Sequence, residues 1–410
     1  MAPGGAGNRT AVVVGYLTDS IGKQMSAVRR VDNRFKFIQD YLNDIFANGL
    51  HAKRVGSLAG GTLGVMVGAS LAVSIIGQSL AQARGLFSKH AIKQVDRLLS
   101  NQGLAVWQLF APWVAHVIGQ RTEAFIAMDW TDFDADDQST LALNLVTTHG
   151  RATPLMWLTV FKAEFKDMRN HYEDMCLARL AEIRPEGVHV TILADRGFGD
   201  TKLFAYLDKL GFAYVIRFRG NIHVTAADGE KRAAADWVGK GGRARMLCDA
   251  RVTVNESPVG AVVCVHAKDM KDAWCLAASN GDATSREIIN QYARRWTIEP
   301  GFRDAKDLRF GMGLSVLRIS DPQRRDRLLL LNAFAIMLLT LLGAAGESLG
   351  MDRQLRTSTT ARRVHSLFRQ GCMLYKLIPN MPEIRLRPLI ERFDEFILQS
   401  TVMTQTFSLV

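Results

Sequence analysis

Residues 188–200 read Val-His-Val-Thr-Ile-Leu-Ala-Asp-Arg-Gly-Phe-Gly-Asp. An apolar, β-branched run ends on Asp195 and passes into glycine-punctuated chain, the pattern of a buried strand carrying a carboxylate at its end. The pattern recurs upstream, where Ala124-Phe-Ile-Ala-Met runs into Asp129. Outward from these two runs, Thr140 to Thr148 and Thr153 to Phe161 read as strands and Phe161 to Ile183 as a helix. Leu203 to Leu210 reads as a helix and Ala213 to Phe218 as a strand. Strands and helices mixed in this order imply an α/β core. Residues 220–273 break the alternation. They are glycine-rich, with short β-like pieces at Ile222–Thr225, Val252–Asn255 and Val259–His266, and read as a small, mostly β insertion. Trp274 to Ala278 resumes the core, and Ser285 is the expected cap of a long helix.

That helix contains Tyr292, Arg295, Glu299 and Lys306, at relative positions 0, 3, 7 and 14. At about 100° per residue the four fall within roughly 60° on one face. A carboxylate between two cations and a phenol suits chemistry that handles phosphate and metal together. Asp129, Asp195 and Glu299 make a three-carboxylate set, because carboxyl ends of adjacent strands converge at one sheet edge. Three hard oxygen donors suit Mg²⁺, with Mn²⁺ as a substitute, and not zinc. Two such ions about 4 Å apart would activate a water or a 3′-hydroxyl and stabilise the departing oxygen of a phosphodiester. Taken singly, either Asp also reads as a helix or loop cap. Pro300 follows Glu299 directly and predicts a kink there, so the single-face geometry is safest from Tyr292 to Glu299.

The flanks read as helical. Residues 29–47 place Phe35, Ile38, Tyr41, Leu42 and Ile45 at helical spacing. Ser88 to Asn101 forms another helix, with Ser88 as N-cap, Gly103 as its stop, and Ile92, Val95, Leu98 and Leu99 inward. Lys89, Lys93 and Arg97 recur every fourth residue on it, either a solvated face or a DNA-backbone stripe. Two uncharged stretches, Val55 to Ala83 and Leu328 to Gly346, are long enough to cross a bilayer. The first carries Gly60, Gly64 and Gly68 at four-residue spacing. Its dilution by Gly, Ser, Thr and Gln favours a pair of buried core helices, with no membrane partner.

Net charge is +11, which suits a polyanionic partner, and the first 100 residues hold 12 Lys and Arg against 5 Asp. Five scattered cysteines with no C-x-x-C argue against zinc or a disulfide framework and fit a reducing cytosol. The N-terminal MAPGGAGNRT has no signal-peptide pattern. No G-x-x-x-x-G-K-[ST] occurs, which excludes a P-loop.

Tyr292, Arg295, Glu299 and Lys306 match, without a gap, the Y-R-E-K signature of the insertion-sequence-four family of DDE transposases. MDWTDF around Asp129, LADRGFGD around Asp195 and FRDAKDLRFGMGL after Glu299 resemble the family's other blocks. SKHAIKQVDRLLSN at 88–101 is similar to an N-terminal segment of its transposon-ten branch. The resemblance covers residues 84–320 in blocks and the tail more loosely. It implies a ribonuclease-H-like core with a β insertion, for which the 104 residues between Asp195 and Glu299 leave room.

It also implies cut-and-paste transposition in a bacterial nucleoid. A nick at the element end frees a 3′-hydroxyl, which attacks the opposite strand to form a hairpin. The hairpin reopens, and the end joins target DNA. Asp129, Asp195 and Glu299 would hold the metal ions. Arg295 and Lys306 would grip phosphates, Tyr292 would add a hydrogen bond, and Trp296 and Trp274 would stack a flipped base. For both Trp a core role is the competing reading. Lys89, Lys93 and Arg97 would contact end DNA. The implied partners are duplex DNA with terminal inverted repeats, target DNA and a second copy of the chain.

The expected organisation follows. Residues 1–120 form a helical DNA-binding region, 121–219 the first part of the core and 220–273 the β-rich insertion. Residues 274–350 complete the core with the Glu299 helix, and 351–410 form a helical, dimerising tail. The alternative is a domesticated DNA-binding protein without catalysis, against which all three acids are present. A two-span membrane protein is a third reading.

Overall fold

The computed structural model of the chain describes residues 27–46, 49–357, 359–360 and 362–398. The first part of the expected helical start, 1–26, and the tail end at 399–410 lie outside them. The described chain falls into two compact units, residues 27–104 with 334–398, and residues 105–333.

The first unit begins with α1 (Ala27–Phe46), α2 (Ala52–Gly68), α3 (Val73–Arg84) and α4 (Ser88–Leu99). The apolar spacing of α1 is used as expected, for Ile38, Tyr41 and Leu42 are buried together with Phe46. The uncharged stretch 55–83 is not one span but α2 and α3, bent by 97° at the break between them. Its glycine spacing serves close packing inside the protein. A Cβ on Gly64 would lie 2.5 Å from the Ile76 carbonyl oxygen, and one on Gly68 would lie 2.7 Å from Ser79 Oγ. In α4, Ala91, Val95, Leu98 and Leu99 are buried while Ile92 is half-buried. The expected caps shift here. Ser88 is the first helical residue behind Phe87, and the helix closes at Ser100, before Gly103.

The second unit opens with α5 (Val106–Ile118), β1 (Glu123–Phe133), β2 (Gln138–Leu145) and β3 (Thr153–Phe161). The helix expected over 161–183 is two, α6 (Lys162–Phe165) and α7 (Arg169–Ile183). Asp167 between them has φ +65°, a left-handed value that a right-handed helix cannot absorb. Next come β4 (His189–Ala194), α8 (Thr201–Lys209) and β5 (Ala213–Phe218). The 220–273 segment supplies β6 (His223–Thr225), β7 (Lys231–Ala233), β8 (Arg245–Cys248), β9 (Arg251–Val252), β10 (Ser257–Pro258) and β11 (Ala261–Val265). The unit continues through β12 (Trp274–Ala278), α9 (Ser285–Arg294) and α10 (Ile298–Lys306). The main sheet has eight strands in the order β3-β2-β1-β4-β5-β12-β11-β8. Its first three strands pair antiparallel, while β4 runs parallel to β1 and to β5. The glycine-rich segment is therefore shared, with β8 and β11 extending this sheet. Its other strands form a second sheet ordered β10-β9-β6-β7.

Helices cover both faces of the main sheet. Ala127, Leu193, Val215 and Leu276 share one core cluster with Ile288, Tyr292 and Ile298 of the α9–α10 region. Because side chains alternate along a strand, their neighbours point the other way. There Tyr214 stacks on Phe204 of α8 at 5.0 Å. Burial on both faces accounts for the apolar continuity of the runs before Asp129 and Asp195.

A long helix, α11 (Pro322–Ser348), runs from the second unit into the first, followed by α12 (Leu367–Leu377) and α13 (Glu383–Leu398). By length and composition α11 could cross a membrane, yet 83% of its most apolar window is buried inside the protein. All five cysteines are free.

Candidate active site

The two aspartates become neighbours through the register of β1 and β4. The parallel pairing ends at Met128 opposite Ala194, so Asp129 and Asp195 are the next residues on adjacent strands. Asp195 lies just beyond β4, as expected. Asp129 does not end its strand: β1 continues through Phe133, held by antiparallel pairing to β2. Each carboxylate is aimed by a nearby amide. Trp130 N–H donates to Asp129 Oδ1 at 2.9 Å, and Gly197 N–H donates to Asp195 Oδ1 at 2.7 Å. Asp195 thereby also caps the short turn Arg196–Phe198, so its cap and strand-end readings hold together.

Glu299 enters from a helical segment that passes through a 3₁₀ turn, with helical backbone angles at Arg294, Arg295, Thr297 and Ile298. α9 starts after Thr284, which forms a capping box with Glu287, so the cap lies one residue before the expected Ser285. It ends at Arg294, a 3₁₀ turn spans Arg295–Thr297, and α10 starts at Ile298. The irregularity in the helix is thus a 3₁₀ turn one turn before Pro300, where a kink was expected. A proline ring displaces the carbonyl four residues before it, here Trp296, and Pro300 itself rests in the first turn of α10, where its missing N–H costs little.

Arg295 stands among the acids. Its guanidinium reaches Asp129 Oδ2 at 3.2 Å and Glu299 Oε1 at 3.5 Å. It is 4% exposed, and its Nε has no hydrogen-bond partner among the described residues. Burial opposes its charge, but attraction to Tyr292, Asp129 and Asp195 outweighs this and raises its pKa. Burial pushes the Asp129 carboxyl up to about 6, with Asp195 and Glu299 adding to the rise and Arg295 and the Trp130 amide opposing it. The three carboxylates thus share one electrostatic neighbourhood.

Their donor chemistry, all carboxylate oxygen around one positive charge, fits a hard divalent cation. As placed, no group of three or more His, Cys, Asp or Glu among the described residues is gathered to hold a metal ion. Arg295 takes up the charge at the centre of the set instead.

The other expected residues adjoin this cluster but differ in exposure. Tyr292 is 1% exposed, with Trp274 edge-on at 4.9 Å and the Arg295 guanidinium carbon 5.9 Å from its ring. Burial raises its pKa. Trp296 is 46% exposed, with the same guanidinium carbon 5.4 Å from its ring. Lys306 is tied to the far end of β1, donating to Thr131 Oγ1 at 3.1 Å and to the Asp132 carbonyl at 2.6 Å. Its ammonium lies 4.6 Å from the Phe133 ring, whose centroid is 3.8 Å from the buried Arg325 guanidinium carbon. Burial lowers the Lys306 pKa.

Lys89, Lys93 and Arg97 are all exposed on α4 of the first unit. Lys93 and Arg97 line a cavity of about 440 Å³, joined by His90 and by Arg54 of α2. Lys89 is not among its lining residues, and neither is any Asp or Glu.

Sequence reasoning missed Thr131, Arg54 and His90. Thr131 was within reach, since it stands two residues after Asp129 on the same strand face. Arg54 carried no signal, because only the folding of α2 against its neighbours brings it to α4.

A family profile described as Transposase DDE domain matches residues 121–338, which spans Asp129, Asp195 and Glu299. No curated protein matches the chain. The match takes in more than half of the 410 residues, and the chain belongs to the DDE-domain transposases.

Proposed function

We propose that this chain is the cut-and-paste transposase of a bacterial insertion sequence, of the insertion-sequence-four type, acting in the nucleoid through a hairpin intermediate. One observation carries the reading: Asp129 and Asp195 directly follow the last pair of one parallel register, and Glu299 is coupled to them around Arg295. The order β3-β2-β1-β4-β5, antiparallel strands passing into parallel ones under helices on both faces, supports a ribonuclease-H-like core.

Asp129, Asp195 and Glu299 would hold Mg²⁺ or Mn²⁺. Such ions supply activation of the attacking water or 3′-hydroxyl and stabilise the departing oxygen. The chain's own groups do the rest. Arg295 and Lys306 would grip phosphates beside the cut. Tyr292, shut inside the core, sets the Arg295 guanidinium rather than meeting DNA. Trp296 offers an open indole face to a base turned out of the duplex, while Trp274 packs Tyr292 in place. The basic cleft of the first unit, with Lys89 beside it, takes the backbone of the end DNA. Two copies would pair two ends, with the 351–410 tail as their contact.

The test uses the full chain, Mg²⁺ and a duplex containing the DNA that flanks the coding sequence. Cleavage at an inverted repeat, with a hairpin end on a denaturing gel, is the expected product. Cleavage giving only open ends would remove the hairpin step. No cleavage of any flanking inverted repeat would remove the reading.

A further inference from the structure

Behind the sheet, on the face away from Arg295, the N-terminal part of α7 braces the chain at both aspartates. We infer that Glu173 is a positioning residue for Asp129 and Asp195, an inference that rests on the reading of these acids as the metal-holding set. Glu173 is a carboxylate only 4% exposed. Its Oε1 accepts two hydrogen bonds, from the Trp130 indole Nε1 at 2.8 Å and from Arg169 Nε at 2.7 Å.

Each donor leads to one aspartate. Trp130 follows Asp129 directly, and its own amide donates to Asp129 Oδ1. Arg169 places its guanidinium carbon 4.8 Å from the ring of Phe198, in the turn whose Gly197 amide donates to Asp195 Oδ1. A Cβ on Gly197 would lie 3.3 Å from Arg169 Nη2, so guanidinium and turn are in near contact. The next residue of α7, Asn170, donates to Asp200 Oδ2 at 3.2 Å, and Asp200 caps α8 beyond the same turn.

Alternation explains why the brace lies behind the sheet. Asp129 points to one face, so Trp130 must point to the other, where its ring meets Phe165 at 4.5 Å. One carboxylate thus fixes the two backbone segments whose amides orient the two aspartates. Groups that orient ligands in this way set metal affinity, and their loss typically weakens it about 10–100-fold.

The test is titration of the full chain with Mn²⁺ alone, followed by calorimetry, beside thermal melts of each variant. Glu173→Ala should bind Mn²⁺ at least about tenfold more weakly at a temperature where it stays folded. Glu173→Gln, whose amide oxygen still accepts both bonds, should restore affinity to within about threefold of the parent. Trp130→Phe keeps the ring against Phe165 and removes only the indole N–H. It should weaken binding in the same direction, and it serves if Glu173→Ala does not fold. Unchanged Mn²⁺ affinity in a folded Glu173→Ala or in Trp130→Phe, with only the melting temperature lowered, overturns the inference. Asp129→Asn is the control that separates the two readings. If it keeps parental affinity, the metal-site reading falls; if it loses affinity while the Glu173 and Trp130 variants keep it, only the brace falls.

Discussion

In the second unit, Arg295 is nearly buried and divided between Asp129 and Glu299. In the first unit, Arg54, Lys93 and Arg97 line an open cavity with no carboxylate among its lining residues. Each region gathers cations, yet the physics differs. Around Arg295, low dielectric makes each charge depend on its neighbours, so one displaced group shifts them all. In the cleft the cations are open to solvent, so under the proposed function each would add a separate, salt-sensitive increment of DNA affinity. The proposed function assigns chemistry to the coupled cluster and sequence-independent grip to the uncoupled one.

The comparison breaks most directly at the acids. Asp129→Asn or Glu299→Gln should lower end cleavage by about a thousandfold or more while DNA affinity changes by no more than about threefold. A variant that loses binding in step with cleavage would show that the two regions are not separable. In the cleft, Arg54→Ala, Lys93→Ala and Arg97→Ala together should flatten the plot of log affinity against log salt. The slope should fall by about 0.9 for each phosphate that is no longer neutralised, with cleavage at saturating protein unchanged. An unchanged slope would remove the cleft from the DNA path.

A stability measurement sharpens the contrast. The folded pKa of Asp129 is raised from 3.8 to about 6, chiefly by burial. Protonation therefore favours the fold: this contribution is complete below about pH 4 and is lost as pH rises through about 6. Without added metal, Asp129→Asn should be more stable than the parent at pH 8, by on the order of 1 kcal/mol. At pH 4 the two should melt alike. Equal melting at pH 8 would mean that Arg295 fully compensates the buried charge. The smallest effect is expected for Lys89→Ala, outside the cavity lining, which should move the salt slope by less than about half a unit.

Legibility differed from element to element. The runs before Asp129 and Asp195 were readable because burial on both faces leaves an unbroken apolar signature ending at a carboxylate. The stripe from Tyr292 to Lys306 was readable as chemistry but not as geometry. Spacing predicted one face of one helix; a 3₁₀ turn at Arg295–Thr297 interrupts it, Tyr292 is buried in the core, and Lys306 donates to Thr131 and the Asp132 carbonyl of β1. The glycines of α2 looked like a membrane-helix contact because close backbone approach needs the same residues in water and in lipid. What covers them, Ile76 and Ser79 of α3, is decided by a bend that hydropathy does not register.

By itself the sequence determined the alternating strands and helices of the α/β core and the match to a DDE transposase domain, and it marked three acids as candidates. These follow from local periodicity and residue chemistry, which neighbours along the chain suffice to express. Only the tertiary structure decided that β8 and β11 join the main sheet, that Arg295 sits among the carboxylates, and that Glu173 ties Trp130 to Arg169 behind them. Those pairings join residues far apart in sequence. They depend on strand register and helix placement, which the packing of the whole unit settles and no local pattern encodes.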